Sequence, residues 1–458
     1  MTSSALGRDY RLLWSAAVSS RFGDTLRTPA LALLAATVTH DPRVIAAITV
    51  AGQLPPLLFG LLGGVYADRW DRRRTMALVD GIRAAVVAAL AVAVALDRVS
   101  VLVLLAAAFL LATLGTLFDS ASFALLPALV PPAALPRANG RLQAGSAVAG
   151  GFLGAPAAGV LFAVAPALPF AVDAVTFAVA ALLVLALAPT PLASASARPL
   201  ASASAGPLAS ASAGPLASAS AGPLASASAR PLASASARPL ASASARPGVR
   251  RASVWSEIFE GLRWLRAHRT LWRVTLLAAA SNLAISGIMA VLVLYALDVL
   301  RVPPAGYGLF AAAAIVGGVA GALGAGRLAA RLGTVPALRG VLAAQTVALA
   351  GFALARHPVP GGFALAVFAA GTVVWNSLCA SYGQRHVPAG LLGRVGAAQR
   401  MVGLLTAPVG AVLAGLAAAA YGTVPVAGAA AGTFALVTLA AWRTLRPAAP
   451  GVLSPTAA

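Results

Sequence analysis

Apolar runs of twenty or more residues recur along the chain, separated by short polar breaks. A helix needs about twenty such residues to cross the hydrocarbon of a bilayer. Twelve runs reach that length, at 12–37, 43–66, 76–96, 100–122, 141–163, 167–188, 273–297, 306–329, 335–355, 361–382, 396–420 and 424–444. The pattern predicts an all-α membrane protein of twelve transmembrane helices, six on either side of a long central insertion. Glycine and proline inside the runs are compatible with this, because neighbouring helices in lipid satisfy freed backbone groups. The first run is too long for a cleaved leader and carries Arg21, Asp24 and Arg27 within it.

The insertion repeats an octad, Pro-Leu-Ala-Ser-Ala-Ser-Ala-Arg/Gly, from Pro191 to a last Pro247. Proline in every octad prevents a continuous helix, and too little bulky apolar surface is present to fold alone. The repeat predicts a disordered linker, serving either as a partner-binding arm or as a neutral expansion in a permissive loop. Beyond it, Trp255, Ile258, Phe259, Leu262 and Leu265 fall at helical spacing, with Glu260, Arg263 and Arg266 between them. This predicts a short amphipathic helix on the membrane surface, leading into the seventh span. The expected organisation is a six-helix bundle over 1–190, a linker over 191–250, the amphipathic helix within 251–272, a second six-helix bundle over 273–446 and a tail over 447–458.

Composition sharpens this picture. The chain is 60% hydrophobic and 10% charged, with a mean hydropathy of +0.88. Soluble domains carry about 25% charged residues, so a chain this apolar has no surface to offer water. Its net charge is +21, and all 33 basic residues are arginine. With the N terminus inside, the inner segments hold Arg8 and Arg11, Arg69 with Arg72 to Arg74, Arg137 and Arg141, the insertion, Arg327 with Arg331 and Arg339, Arg385 with Arg394 and Arg400, and Arg443 with Arg446. The outer loops hold Arg43, Arg98, Arg301 and Arg356. This bias predicts both termini in the cytoplasm, and charge spread this way excludes a nucleic-acid surface. Without lysine the chain has no phosphate-binding P-loop. One cysteine, Cys379, excludes an internal disulfide. The four histidines are scattered, with no metal-ligand cluster or nucleophile motif. Neither an enzyme nor a cofactor is expected.

Between spans two and three the chain reads Gly64-Val-Tyr-Ala-Asp68-Arg69-Trp-Asp71-Arg72-Arg73-Arg74. This resembles the signature loop of the major facilitator superfamily, Gly-x-x-x-Asp-Arg-x-Gly-Arg-Arg/Lys, with Asp71 where that family has glycine. A degenerate copy, Gly326-Arg327-Leu-Ala-Ala330-Arg331, lies between spans eight and nine, as expected of two homologous halves. Ser20-Arg21-Phe-Gly23-Asp24, Asn139, Asp173 and Gln384-Arg385-His386-Val387-Pro388 resemble the enterobactin and macrolide exporter branch. Gly151-x-x-x-Ala155-Pro156-x-x-Gly159 is similar to a motif of exporters, with Ala155 replacing one glycine.

The resemblance implies the major facilitator fold, two six-helix pseudo-repeat bundles working by alternating access. It implies a gate at Gly64, Asp68, Arg69 and Arg72, with Asp68 capping span eleven and Arg72 paired to Asp119. It places spans one, four, seven and ten around a cavity lined by Asp24, Thr113, Thr116, Asn282, Trp375 and Asn376, whose apolar character suits an amphipathic substrate. It implies a pivot or leak seal at Gly151, Pro156 and Gly159, where plain close packing is the alternative.

From the residues themselves, Arg21, Asp24 and Arg27 share one helix face. Asp24 lies roughly 18 Å along span one, a depth where each charge costs on the order of 2.5–3.5 kcal/mol. These residues must face a wet cavity or a partner. Asp24 either carries a coupling proton, contacts a cationic substrate, or forms a permanent pair with Arg21 or Arg27. Asp80 and Arg83, also three apart, suit an intrahelical pair, snorkelling or a part in the gate. Asp173 has no arginine near it in sequence and either titrates during transport or pairs with a distant residue. The expectation is proton-linked efflux of a drug-, macrolide- or siderophore-like molecule by a monomer in the bacterial cytoplasmic membrane, with an importer or a non-transporting scaffold or sensor as alternatives.

Overall fold

The computed structural model describes residues 7–67, 71–131, 134–188, 254–388 and 391–444. Much of the gate loop, the octad insertion and the tail therefore lie outside the described residues. Those described form helices only: α1 (Arg8–Val38), α2 (Pro42–Ala67), α3 (Arg72–Ala95), α4 (Val101–Leu129), α5 (Leu135–Ala147), α6 (Ala155–Val164), α7 (Leu168–Leu185), α8 (Val254–Ala267), α9 (Arg269–Leu294), α10 (Pro304–Leu332), α11 (Thr334–Leu354), α12 (Pro358–His386), α13 (Leu392–Tyr421) and α14 (Thr423–Thr444). A π-helical stretch, Val148–Gly154, joins α5 to α6, and a second, Tyr295–Val299, extends α9.

Among the described residues, eleven helical segments are long and apolar enough to cross a membrane. The twelfth predicted span, α1, is 31 residues long, about 46 Å, and is set apart by its internal charges. The chain is a multi-pass integral membrane protein. Large apolar side chains such as Leu102, Val164, Leu309, Val347, Leu354 and Phe363 are exposed on its outside, where lipid replaces water.

The packing repeats. In the first half α1 packs on α7 and on α5–α6, α3 on α4 and α7, and α2 on α4. Six spans later α9 packs on α14 and α13, α11 on α12 and α14, and α10 on α12. One capping device recurs with it. Arg73 at the start of α3 donates to the carbonyls of Val184 (3.2 Å) and Leu185 at the end of α7. Arg339 at the start of α11 donates to Trp442 at the end of α14, at 2.8 Å. Both place a cation on orphan carbonyls at a helix C-terminus.

Local chemistry sets the helix ends. Asp71 caps α3, accepting from the backbone N–H groups of Arg73 (3.1 Å) and Arg74 (3.3 Å). The departure from the family loop thus supplies a helix start. His268 and His357, two of the scattered histidines, accept from Leu271 and Val359 and cap α9 and α12. The single-residue connections at Gly333 and Gly422 need φ of +80° and +85°, which glycine adopts without strain.

We call the membrane side where α1 begins the near side, and the other the far side. The halves meet through α2 against α13 and α6 against α10. Their close approaches gather on the far side. Gly159 lies on the Ala305 carbonyl, Gly308 on the Ala155 carbonyl, and Gly415 on Ala46. Deeper in, the Gln53 amide of α2 donates to the Ser286 hydroxyl of α9 at 3.3 Å. Ser286 also donates to the Ala407 carbonyl, at 2.6 Å.

The amphipathic helix α8 lies against α9 and α13. Leu265 is buried, Arg263 and Arg266 are exposed, and Glu260 meets Arg394 at 2.8 Å. That pair is more than a third exposed on both sides, so it stabilises by about 0–1 kcal/mol. Gly261, by contrast, lies on the Arg394 backbone, where a Cβ would overlap the carbonyl. Trypsin cleavage after Arg263 and Arg266 is expected to speed up in Gly261→Val and to stay nearly unchanged in Glu260→Gln. The opposite order would assign the docking to the ion pair.

Candidate functional site

The first half contains a charged cluster at the depth where lipid surrounds the protein. Four of the chain's twelve acids, Asp24, Asp80, Asp119 and Asp173, are held there by Arg21, Arg27 and Arg83. The helical repeat puts Arg21, Asp24 and Arg27 on one face of α1, turned toward α3, α4 and α7. Gly23 lets α7 close on that face, since a Cβ there would overlap Asp173 and Thr176. On the next turn Ser19 donates to the Thr176 carbonyl at 3.1 Å.

Five of these side chains form a string of alternating sign, Asp80–Arg83–Asp24–Arg27–Asp173. Its separations are 3.2, 2.6, 2.6 and 3.0 Å. Asp24 stands at the centre, and its Oδ1 receives both guanidinium groups. Arg83 is 2% exposed and also donates to the Ser20 hydroxyl at 3.1 Å. Its guanidinium lies 3.9 Å over the Phe177 ring, with Phe118 at 5.9 Å. Charge taken from water costs several kcal/mol per ion, and only close pairs with further hydrogen bonds offset it. Cation–π contact adds to that offset for Arg83.

Beside the string, Arg21 meets Asp119 at 3.6 Å. Their side chains are 29% and 30% exposed, against 0% for Asp80 and Asp173. The cluster is thus open at the Arg21–Asp119 edge, partly open at Asp24, 23% exposed, and closed at Asp80 and Asp173.

Several sequence expectations change here. Asp173 is not isolated: Arg27 reaches it from α1, a contact that sequence distance concealed. Asp119 has Arg21 as its partner, and the Arg72 side chain lies outside the described residues. Asp68 and Arg69 lie outside them too, and Gly64 sits within α2. Asp80 and Arg83 do form the intrahelical pair, yet Arg83 does not snorkel; it turns inward to Asp24. Asn282 and Asn376 are exposed and Thr113 is partly so, as cavity positions need. Trp375 and Thr116 instead enter the packing. The large indole joins the second half's core, and the Thr116 hydroxyl donates to the Ala112 carbonyl at 2.9 Å. Gly151 lies in the π-helical stretch, Pro156 in the first turn of α6, and Gly159 at the contact between halves. Sequence reasoning passed over Gln53, although an amide inside an apolar span marks a buried polar contact.

No curated protein matches the sequence. Among solved structures, the chain is similar to a bacterial homologue of the human lysosomal transporter Spinster in an inward-facing, occupied conformation. The TM-score is 0.68 and the identity 13%, over 97% of this chain and 98% of that one. A bacterial homologue of the iron transporter ferroportin, inward-facing, gives 0.66 and 15%, over 96% and 99%. The nucleoside transporter NupG gives 0.62 and 16%, over 96% and 100%. These likenesses carry the fold. The sequence model of the Major Facilitator Superfamily matches residues 13–411, from α1 with the charged cluster into α13 of the second bundle. The chain belongs to the major facilitator superfamily and is a transporter rather than an enzyme.

Proposed function

We propose that this transporter exports an amphipathic small molecule of drug, macrolide or siderophore-like chemistry, driven by protons and working by alternating access. It acts as a monomer in the bacterial cytoplasmic membrane, with both termini and the near side in the cytoplasm. The observation that carries the reading is the alternating string inside the first half, with the open Arg21–Asp119 edge beside it. Buried charge at mid-membrane is costly and marks ion or substrate pathways. The glycine contacts between halves on the far side support a state closed to the outside. Sparse polar positions, Asn282, Asn376 and Thr113, support an apolar substrate with few hydrogen-bonding groups. The resemblance of Ser20 to Asp24 to the enterobactin and macrolide exporter branch, and of Gly151 to Gly159 to a motif of exporters, supports the direction. The resemblance of their loop to the family signature supports a near-side gate at Gly64, Asp68, Arg69 and Arg72, in which the Asp68 carboxylate caps the positive N-terminus of span eleven.

The test is flux in liposomes containing the purified protein, with an imposed proton gradient and a panel of fluorescent lipophilic dyes. Dye movement opposite to proton flow, abolished by a protonophore, is the expected result. Movement with the protons assigns an importer. Indifference to the gradient across the panel removes proton coupling.

A further inference from the structure

The string holds three carboxyl groups and two guanidinium groups, while Arg21 and Asp119 form a separate pair at the open edge. With every acid ionised, the string keeps one uncompensated negative charge, and its two end acids, Asp80 and Asp173, are 0% exposed, where a low-dielectric surrounding tolerates such charge least. One proton restores balance. Asp24 is the poorest seat, because its Oδ1 already accepts from Arg27 and Arg83 at 2.6 Å each. Protonation there would weaken both contacts.

The two ends of the string differ from its centre. Asp80 and Asp173 are fully buried, and in each the Oδ2 atom has no hydrogen-bond partner. Asp80 uses Oδ1 for Arg83. Asp173 Oδ2 faces Arg27 Nε at 3.0 Å but off the hydrogen-bond line, and its Oδ1 has the Thr176 hydroxyl at 3.5 Å. Buried polar atoms are almost always satisfied, so the partnerless Asp80 Oδ2 and the misaligned Asp173 Oδ2–Arg27 Nε contact at the two ends need a cause. Charged groups acting on Asp80 are Arg83 on its own helix, Asp24 on α1 and Asp119 on α4, while Ser20 of α1 and the Phe177 ring of α7 hold the Arg83 guanidinium. Around Asp173 stand Thr176 on its own helix, Arg27 and Asp24 on α1, and Arg83 on α3. The adjoining α6, Ala155–Val164, contributes no charged residue.

We propose that Asp80 and Asp173 are alternate seats for a single proton, and that Asp24 stays ionised between them as a fixed anion. Asp80 lies about 12 Å along α3 from its near-side end, and Asp173 about 8 Å along α7 from its far-side end. The seats are therefore offset toward opposite faces of the membrane. When the O–H bond at Asp173 breaks, the proton passes to water at Asp24, the 23%-exposed centre of the string, and from that water to a new O–H bond at Asp80. Arg27 and Arg83 remain cations throughout, so the string holds one proton before and after. With Asp173 neutral, Arg27 gives its charge to Asp24. With Asp80 neutral, Arg83 does the same. This deepens the proton-driven reading and rests on it, but its test needs no substrate, so the two can fail separately.

The test is infrared spectroscopy of the purified full-length protein at neutral pH, together with its melting temperature. The wild type is expected to show the carbonyl band of a protonated carboxyl group. Asp80→Asn and Asp173→Asn, each isosteric with the protonated seat, are expected to lose that band and melt like wild type. Asp119→Asn is expected to keep the band. Asp24→Asn is expected to melt about 5–15 °C lower, since both arginines lose their shared anion. The proposal is overturned by a wild type without the band, by a band that survives both seat substitutions or is lost with Asp119, or by seat variants that melt as low as Asp24→Asn. An Asp24→Asn protein as stable as wild type would move the proton to Asp24 and equally overturn it.

Discussion

Replacing Arg83 with leucine is expected to stop transport and to lower the unfolding free energy by about 3–5 kcal/mol, the range for leaving a buried charge without its partner. Arg83 joins three helices: its own α3 through Asp80, α1 through Asp24 and Ser20, and α7 through the Phe177 face. Leucine fills much of the same volume, so the loss comes from Asp24 and Asp80 and not from a cavity. Lysine keeps the charge but lacks the planar fork that serves several acceptors at once and the flat face that stacks on a ring. Arg83→Lys should therefore fall between wild type and leucine in both melting temperature and gradient-driven dye flux. Wild-type stability in Arg83→Leu would mean that the string contributes nothing to the fold.

A valine at Gly308 is expected to prevent far-side closure. The added Cβ falls on the Ala155 backbone carbonyl, and one at Gly159 falls on the Ala305 carbonyl. Backbone cannot rotate aside as a flexible side chain would, so the halves must part. Overpacking of this kind costs about 1–3 kcal/mol, which shifts a two-state equilibrium by about 5- to 150-fold. The check is labelling of Ala312→Cys, in a Cys379→Ser background, by a membrane-impermeant maleimide added from the far side. Ala312 is buried in the same contact, beside Ala155 and Ile315. Its labelling rate should rise by that factor in Gly308→Val, and an unchanged rate would place the seal elsewhere.

The span boundaries were legible because lipid imposes a long apolar run and arginine marks where each run stops. The predicted 273–297 span compares with a helix from Arg269 continued to Val299, and 424–444 with Thr423–Thr444. Arg21, Asp24 and Arg27 announced the charged cluster, since three charges inside a span require a polar surrounding. Their partners were not legible. Arg27 meets Asp173 across the bundle, and no local spacing encodes that. Asp80 and Arg83 read as a local pair because i,i+3 geometry satisfies one bond of the guanidinium, while its remaining donors find Asp24 and Ser20 only after α1 and α3 pack. The small-residue face at Ala155 and Gly159 was visible as a pattern, but its complement at Ala305 and Gly308 is set by the docking of two halves. Asp71 shows the converse. Read as a departure from a family motif, it is explained by a rule readable in the sequence, an acid immediately before a helix.

The π-helical stretch Val148–Gly154 fixes the rotational phase of everything after it. Each residue of an α-helix turns the chain by about 100°, and a π turn absorbs extra chain without advancing the helix by the usual angle. Rewinding the same residues as ordinary α-helix, with none removed, would leave the extra one unabsorbed and swing α6 around its axis by roughly a quarter turn. Gly159 would then point away from α10, and a bulkier neighbour would take its place against Ala305. The fit of the two bundles is thus written partly in a winding defect located more than a turn away from the surfaces it aligns.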